Sequence, residues 1–384
     1  MGAKIVGWGH TPFGVLDQSL EDLIKTAAAE AIETAGVDPA EIDGIWLGHF
    51  NSGMVPDAFA SSLVLGMDDQ LRFAPATRVE NACASGSAAV YAARDAIRAG
   101  SARTVLVVGV EKMTGLDTKG VTEALAGASY QSEEAGVSFP QIFGRIASGY
   151  FQAYGDQSET LARIAVKNHA NALSNPLAQM RREVKFDFCN TPSDKNPMIA
   201  PPLRLTDCSL ISDGAAALVM VAGDRSGFEH AAGFRAARQV NDFLPMSRRD
   251  MTQLEGAARA FELAFKDAGI TVNDLDLAEV HDCFTIAELM IYEAMGLAPT
   301  GKGSRVVADG TVLSDGSLPV NLSGGLKAKG HPVGATGVSM HVLAAQQVTG
   351  QAGPLQKAGA ELAGVFNMGG SGVANYCSIL EARS

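Results

Sequence analysis

The sequence predicts an α/β protein made of two similar halves, with a further segment inserted into the first. Ala-rich helical stretches alternate with Val-rich runs such as Thr104–Val110 and Ala215–Val221, and strands buried on both faces read as continuous apolar runs of this kind. The segment Ala35-Gly36-Val37-Asp38-Pro39-Ala40-Glu41-Ile42-Asp43 is echoed by Ala268-Gly269-Ile270-Thr271-Val272-Asn273-Asp274-Leu275-Asp276. From Lys112 to about Leu205 the chain is more polar and is broken at Asn175-Pro176, Thr191-Pro192 and Pro201-Pro202, which marks an inserted loop domain.

Each copy of the repeat follows an Ala-rich helical stretch and enters an apolar run, Gly44–Phe50 in one case and Leu277–Phe284 in the other. This is the pattern of a strand that follows a helix and its glycine stop. The predicted helix from about Gly86 to Ala99 carries Ala88, Ala89, Ala92, Ala93 and Ala96, and side chains that small let a helix lie between two close layers. The run Ala215–Val221, entered through the Asp213-Gly214 turn, closes the first half after the insertion. The boundaries that result are residues 1–111 with 206–226 for the first half, 112–205 for the insertion and 227–384 for the second half.

A chain of 384 residues with 47% hydrophobic content can bury cores for two or three such units. Its apolar runs fall far short of the roughly 18 residues that cross a membrane, so no membrane partner is expected. Met1–Gly7 runs straight into a strand-like pattern without the features of a secretory leader, and Glu381–Ser384 matches no targeting address. A cytoplasmic location is the expectation. Five cysteines at irregular spacing suggest free thiols and neither a disulfide framework nor a paired metal site. Asp and Glu number 42 against 30 Lys and Arg, for a net charge of −12, and no basic run offers a nucleic-acid surface.

Asn81-Ala82-Cys83-Ala84-Ser85-Gly86 stands directly before the Ala-rich helix. A thiol at a helix N-terminus is expected to ionise more easily, because unpaired amides and the helix dipole favour negative charge there. The same amides can hold an oxyanion. Alone, Cys83 also reads as a small buried hydrophobe. Gly330-His331-Pro332 fixes a histidine in a rigid loop that feeds another helix, and an imidazole can take the thiol proton; a plain turn histidine is the other reading. Glu279-Val280-His281-Asp282-Cys283-Phe284 ends a predicted strand, a common place for reacting groups in α/β proteins. If the strand persists, His281 and Cys283 share a face and Asp282 points away. Packing and a metal site compete with that reading, but the spacing suggests no further ligands. Val365–Gly372 is glycine-rich without the Lys-Ser/Thr ending of a phosphate loop. It suits close backbone approach to a thioester, with a glycine amide as oxyanion donor, or a simple turn.

Together these blocks resemble the thiolase superfamily, and within it the sterol carrier protein type. The most specific parts are Asn81–Gly86, His281–Phe284, Gly330–Pro332, and Lys167-Asn168-His169 followed by Asn175-Pro176 and Gln179. The resemblance covers nearly the whole chain and implies a five-layer αβαβα thiolase fold. It implies an acyl-CoA C-acyltransferase that cleaves 3-oxoacyl-CoA by thiolysis, or runs the reverse Claisen condensation, through an acyl-cysteine. Cys83 would be the acylated nucleophile, His331 its base and Cys283 the second acid/base. The last substitutes for the cysteine that most thiolases carry where this chain has Asn367. His281 and His331 would form one oxyanion hole, and the amides of Cys83 and Gly369 the other. Lys167, Arg181 and Arg182, with Lys185, are candidates for the coenzyme A phosphates unless they are ordinary surface, and Ser323 and Gly324 are assigned to substrate binding. Acyl-CoA and coenzyme A are the expected ligands, with no resident cofactor and no metal. A homodimer or dimer of dimers is expected. The rival readings are a retro-aldolase or C-acyltransferase working with a small accessory subunit, and a non-catalytic acyl-CoA-binding scaffold. No sterol-carrier segment follows Ser384, so lipid transfer is not expected.

Overall fold

The computed structural model describes residues 2–383; Met1 and Ser384, which belong to the terminal stretches read for targeting signals, lie outside that range. The strands in chain order are β1 (Ala3–His10), β2 (Gly44–Gly48), β3 (Ala76–Val79), β4 (Thr104–Glu111), β5 (Met198–Ala200), β6 (Leu203–Arg204), β7 (Gly214–Ala222), β8 (Ala232–Asn241), β9 (Leu277–Val280), β10 (Leu362–Gly369) and β11 (Ala374–Ala382). Nine of them form one sheet in the order β3-β2-β4-β7-β1-β8-β11-β10-β9, while β5 and β6 pair with each other. The first-half and second-half strands join where β1 meets β8 through only Lys4 opposite Gly233 and Ile5 opposite Ala232.

The repeat seen in the sequence is a repeat of backbone geometry. Gly36 and Gly269 each end a helix in the left-handed region, at φ 63° and 65°, a conformation that favours glycine. Short 3-10 turns follow at Pro39–Glu41 and Val272–Asp274. The chain then enters β2, parallel to β3 and β4, or β9, parallel to β10.

Two helices lie in the middle of the molecule. Helix Ser85–Ala99 packs on the first-half strands, while its Tyr91 hydroxyl donates to the Cys377 carbonyl of β11 at 2.8 Å. Helix Val333–Val348 touches strands of both halves and buries nearly every residue. The two helices approach so closely that a Cβ on Gly86 would lie 2.7 Å from the Gly334 carbonyl, and one on Gly337 would lie 2.2 Å from the Ser87 amide. Outer layers are supplied by helix Leu20–Ala35 against β1, β4 and β7, and by helix Glu255–Ala268 against β8 and β11. The layering is therefore helix, sheet, paired central helices, sheet, helix. Between the end of β4 and the start of β7 the chain adds no strand to the large sheet. Among the described residues no helix is long and apolar enough to cross a membrane.

Candidate active site

A cavity is bounded by the turn that carries Cys83, the His331 loop and the start of helix Thr285–Ala294. β3 delivers the chain to a tight turn in which Ala82 takes φ 51°. A non-glycine residue held there costs roughly 1–2 kcal/mol, and such strain concentrates where a side chain must be aimed. The turn is pinned by Ser85, whose hydroxyl accepts from the Asn81 amide and donates to the Ala82 carbonyl. Cys83 stands just before the helix start at Ser85, partly exposed to a cavity of about 230 Å³.

The sequence position suggested an easily ionised thiol, and here the structure corrects it. The amides of Gly370 and of Cys83 itself favour the thiolate, but burial outweighs them and pushes the Cys83 thiol up to about 12. Burial and the neighbouring Lys329 ammonium hold His331 down at about 3. The resting pair is a neutral thiol beside a neutral imidazole. Gly370, at φ 62°, supplies the amide that faces the sulfur; Gly369, expected in that role, is the last residue of β10, opposite Ala374. What Gly369 does is permit contact, since a Cβ there would lie 2.3 Å from the Asn81 carbonyl.

One ring nitrogen each of His281 and His331 and the Cys83 sulfur lie within 4.8 Å of one another. The two rings meet edge to face, with centroids 5.1 Å apart. His331 Nδ1 is 2.7 Å from the Thr336 hydroxyl, which also lies 3.0 Å from the Pro332 carbonyl. A carbonyl can only accept, so the single hydroxyl proton goes to Pro332 and Thr336 accepts from Nδ1–H. His331 thus keeps Nε2 bare, as a base must. Its loop is held by Ser212, whose hydroxyl accepts from the His331 amide and donates to Gln179 Oε1. The following helix is capped by Glu111, which accepts from the Gly334 amide and from the amides of Phe50 and Asn51.

β9 ends at Val280, so the strand does not persist through His281–Cys283; the Asp282 amide instead turns back onto the Val280 carbonyl. That turn sends Asp282 away from the cavity, where it accepts from the amides of Leu326 and Lys327 and ties this strand end to the His331 loop. Cys283 faces the cavity together with Cys83 and His331. Burial, reinforced by Cys83 and Asp282, holds its thiol well above the ordinary range.

Lys167 does not serve the phosphate role expected of it. It is buried, ion-paired with Glu288 at 2.7 Å and donating to the Val320 carbonyl. Ser323 is likewise turned inward onto Glu279, and a Cβ on Gly324 would meet Ala172 at 2.6 Å, so neither faces the cavity. Arg181, Arg182 and Lys185 are exposed. Asn168 donates to Asp282 and Glu288, and Asn175 to the Ser323 carbonyl. The Lys167–Gln179 motif is therefore scaffolding for the two strand ends. Ser212, Thr336, Glu111 and Cys208, which also lines the cavity, carry no sequence signal of their own; Ser212 and Glu111 sit unremarkably at strand ends.

Residues 3–224 match the family model "Thiolase, N-terminal domain", and residues 237–382 match "Thiolase C-terminal domain-like". The chain belongs to the thiolase family. It is 40% identical to the acetyl-CoA acetyltransferase of Methanothermobacter thermautotrophicus over 96% of each chain. It is 31% identical to human sterol carrier protein 2 over 95% of this chain and 69% of that protein. Among solved structures, one titled "Ltp2-ChsH2(DUF35) aldolase" superposes with a TM-score of 0.85 at 24% identity, covering 99% of this chain and 98% of that one, a likeness of fold alone. This thiolase is an acyltransferase.

Proposed function

We propose that the enzyme acts on 3-oxoacyl-CoA esters whose acyl group is apolar and longer than acetyl. In the cleavage direction Cys83 Sγ attacks the 3-oxo carbon while its proton passes to His331 Nε2. The C2–C3 bond breaks, and Cys283 protonates the carbanion that leaves as acetyl-CoA. Cys283 then takes the proton of incoming coenzyme A, whose sulfur attacks the acyl carbon and displaces the Cys83 thiolate, which takes its proton back from His331. Condensation runs the same steps backwards. His281, and His331 once it has become imidazolium, donate to the oxygen of the attacked carbonyl; the Gly370 and Cys83 amides serve the second oxyanion. Exposed Arg181 and Arg182 are the proposed contacts for the coenzyme A phosphates. They directly follow Gln179 and Met180, whose amides bond the Lys329 and Ala328 carbonyls of the His331 loop. No resident cofactor is required, and nucleophile, base and second acid all come from one chain.

The observation that carries the substrate class is the cavity wall. Beyond Cys83 it is built from Phe50, Val121, Leu125, Phe139, Leu210 and Ile211, with about 230 Å³ of space. At roughly 30 Å³ for a methylene-sized group, by analogy with a water's share of liquid volume, several carbons fit. Each buried methylene is worth about 0.8 kcal/mol, so kcat/KM should climb by about fourfold per carbon from 3-oxobutyryl- to 3-oxooctanoyl-CoA. A preference for the four-carbon substrate over the eight-carbon one would remove the reading.

A further inference from the structure

His281, whose ring lies edge to face with His331 and near the Cys83 sulfur, has a nitrogen with no partner. Its side chain is fully buried and Nε2 makes no hydrogen bond, whereas Nδ1 lies 2.9 Å from Asn367 Nδ2. The same Asn367 nitrogen lies 3.2 Å from the Cys83 carbonyl. A carbonyl oxygen can only accept, so the group facing it is the NH₂ end of the amide; turning the amide over would set two oxygens against each other. Asn367 therefore spends one proton on the Cys83 carbonyl and directs the other at His281 Nδ1, which must accept. A neutral imidazole that accepts at Nδ1 carries its proton on Nε2.

We infer that Asn367 is a positioning residue that locks His281 in the Nε2–H tautomer, so that His281 presents a hydrogen-bond donor to the attacked carbonyl oxygen and cannot act as a second base. This rests on the proposed role of the cavity in acyl transfer. The two histidines are set in opposite tautomers by their outer neighbours: Thr336 leaves His331 Nε2 bare, and Asn367 leaves His281 Nε2 protonated. The buried Nε2–H, with no partner in the protein, is a donor held ready for the charge that develops on the substrate, which is where such a donor is most effective. With its proton on Nε2, His281 has no lone pair there for a cation, which counts against Cys83, His281 and His331 as a resident metal site. The groups near His281 that can change charge are the Cys83 thiol and the His331 imidazole, with the Cys283 thiol on the same cavity. Asp282 is turned away onto Leu326 and Lys327, and Lys329 acts on His331.

The tautomer can be read directly from ¹⁵N-histidine-labelled enzyme by NMR, with His281→Gln to assign the signals. The proton should be found on Nε2, with Nδ1 bare. A proton on Nδ1 overturns the inference whatever the activity of the enzyme, so failure here and failure of the thiolysis assay are distinct results. Asn367→Asp keeps the shape but replaces the donating NH₂ with an accepting oxygen, which draws the proton to Nδ1. At pH 8, kcat for thiolysis should fall by about 10²–10³, the usual effect of losing one oxyanion donor, with KM little changed. Activity should return as the pH is lowered and the ring takes a second proton, an acid-side recovery absent from wild type. A loss in the variant that is equal at every pH, or no loss at all, would mean that Asn367 only fills space.

Discussion

Cys83 stands just before the central helix Ser85–Ala99, and His331 stands just before the opposed central helix Val333–Val348. The two helix mouths occupy corresponding places in the two halves, yet one carries a sulfur and the other an imidazole. A helix N-terminus favours negative charge and opposes positive charge, so the same backbone device assists a developing thiolate and acts in the same direction as the burial and the Lys329 charge that keep His331 neutral. The strand ends differ in the same way. Counting along the repeat, Gly48 matches His281 and Phe50 matches Cys283. A side chain at Gly48 would strike the Ser85 carbonyl at 2.6 Å, so the first half keeps this place empty to admit the nucleophile helix. The second half uses it for a histidine. Phe50 and Cys283 both face the cavity, one as wall and one as the proposed acid. Duplication supplied the frame, and a few residues at strand ends and helix mouths divided the chemistry.

The division between the halves breaks most sharply if the two cavity cysteines are removed in turn. Cys83→Ala should cut acyl transfer by about 10⁴–10⁶, as loss of a nucleophile does, and leave no acyl-enzyme in the mass spectrum after 3-oxoacyl-CoA is added. Cys283→Ala should still acylate Cys83 in a single turnover from an acyl-CoA thioester, more slowly because coenzyme A must leave as the unprotonated thiolate, but carbon–carbon cleavage should fail for want of a proton donor. Equal losses of acylation in both variants would show that the two halves do not hold separate roles. Cys208 shares the cavity, so the modified peptide must be identified.

Much of this frame was legible in the chain. The run Thr104–Val110 is β4 to within a residue, the Ala-rich stretch from Gly86 is the central helix, and the two glycine stops predicted by the repeat adopt the left-handed caps that require glycine. The resemblance to thiolases named Cys83, His281, Cys283 and His331, and these four converge. Missing from the sequence was anything that depends on burial. A helix mouth is visible in a pattern, whereas the desolvation that overrides it at Cys83 is set by residues from both halves. Lys167 was misplaced for the same reason. A lysine among polar residues reads as surface, and only the fold shows Glu288 opposite it at 2.7 Å.

Lys167 offers a second way to sharpen the contrast, between groups that touch substrate and groups that hold the frame. Lys167→Met removes one partner of a buried ion pair and leaves Glu288 uncompensated, which typically costs about 3–5 kcal/mol. Urea unfolding should show that loss, while KM for acyl-CoA in the folded fraction stays as in wild type. Arg181→Ala with Arg182→Ala should do the reverse, raising KM with stability nearly unchanged, because both side chains are exposed. A raised KM in the Lys167 variant would restore it to the substrate site.

The smallest expected effect is an absence of change with pH, and it tests how the two helix mouths share a proton at rest. His331 is held at about 3 and so is bare at any pH above that; Cys83 is raised to about 12 and so remains a thiol at any pH below it. Neither group changes charge in between, so the rate at which an acyl-CoA thioester acylates Cys83 should vary by less than about twofold from pH 6 to pH 9, there being no ionisation to shape a bell. Alkylation by iodoacetamide consumes the thiolate itself and displaces iodide from a CH₂ carbon, so no oxyanion develops and its rate at Cys83 should rise by about tenfold per pH unit over the same range. A resting thiolate–imidazolium pair would reverse both results, with fast alkylation already at pH 7 and acylation falling on the acid side as the thiolate is protonated. The two rates measured together therefore decide whether the sulfur is charged before the substrate arrives or becomes charged only as the carbonyl oxygen does.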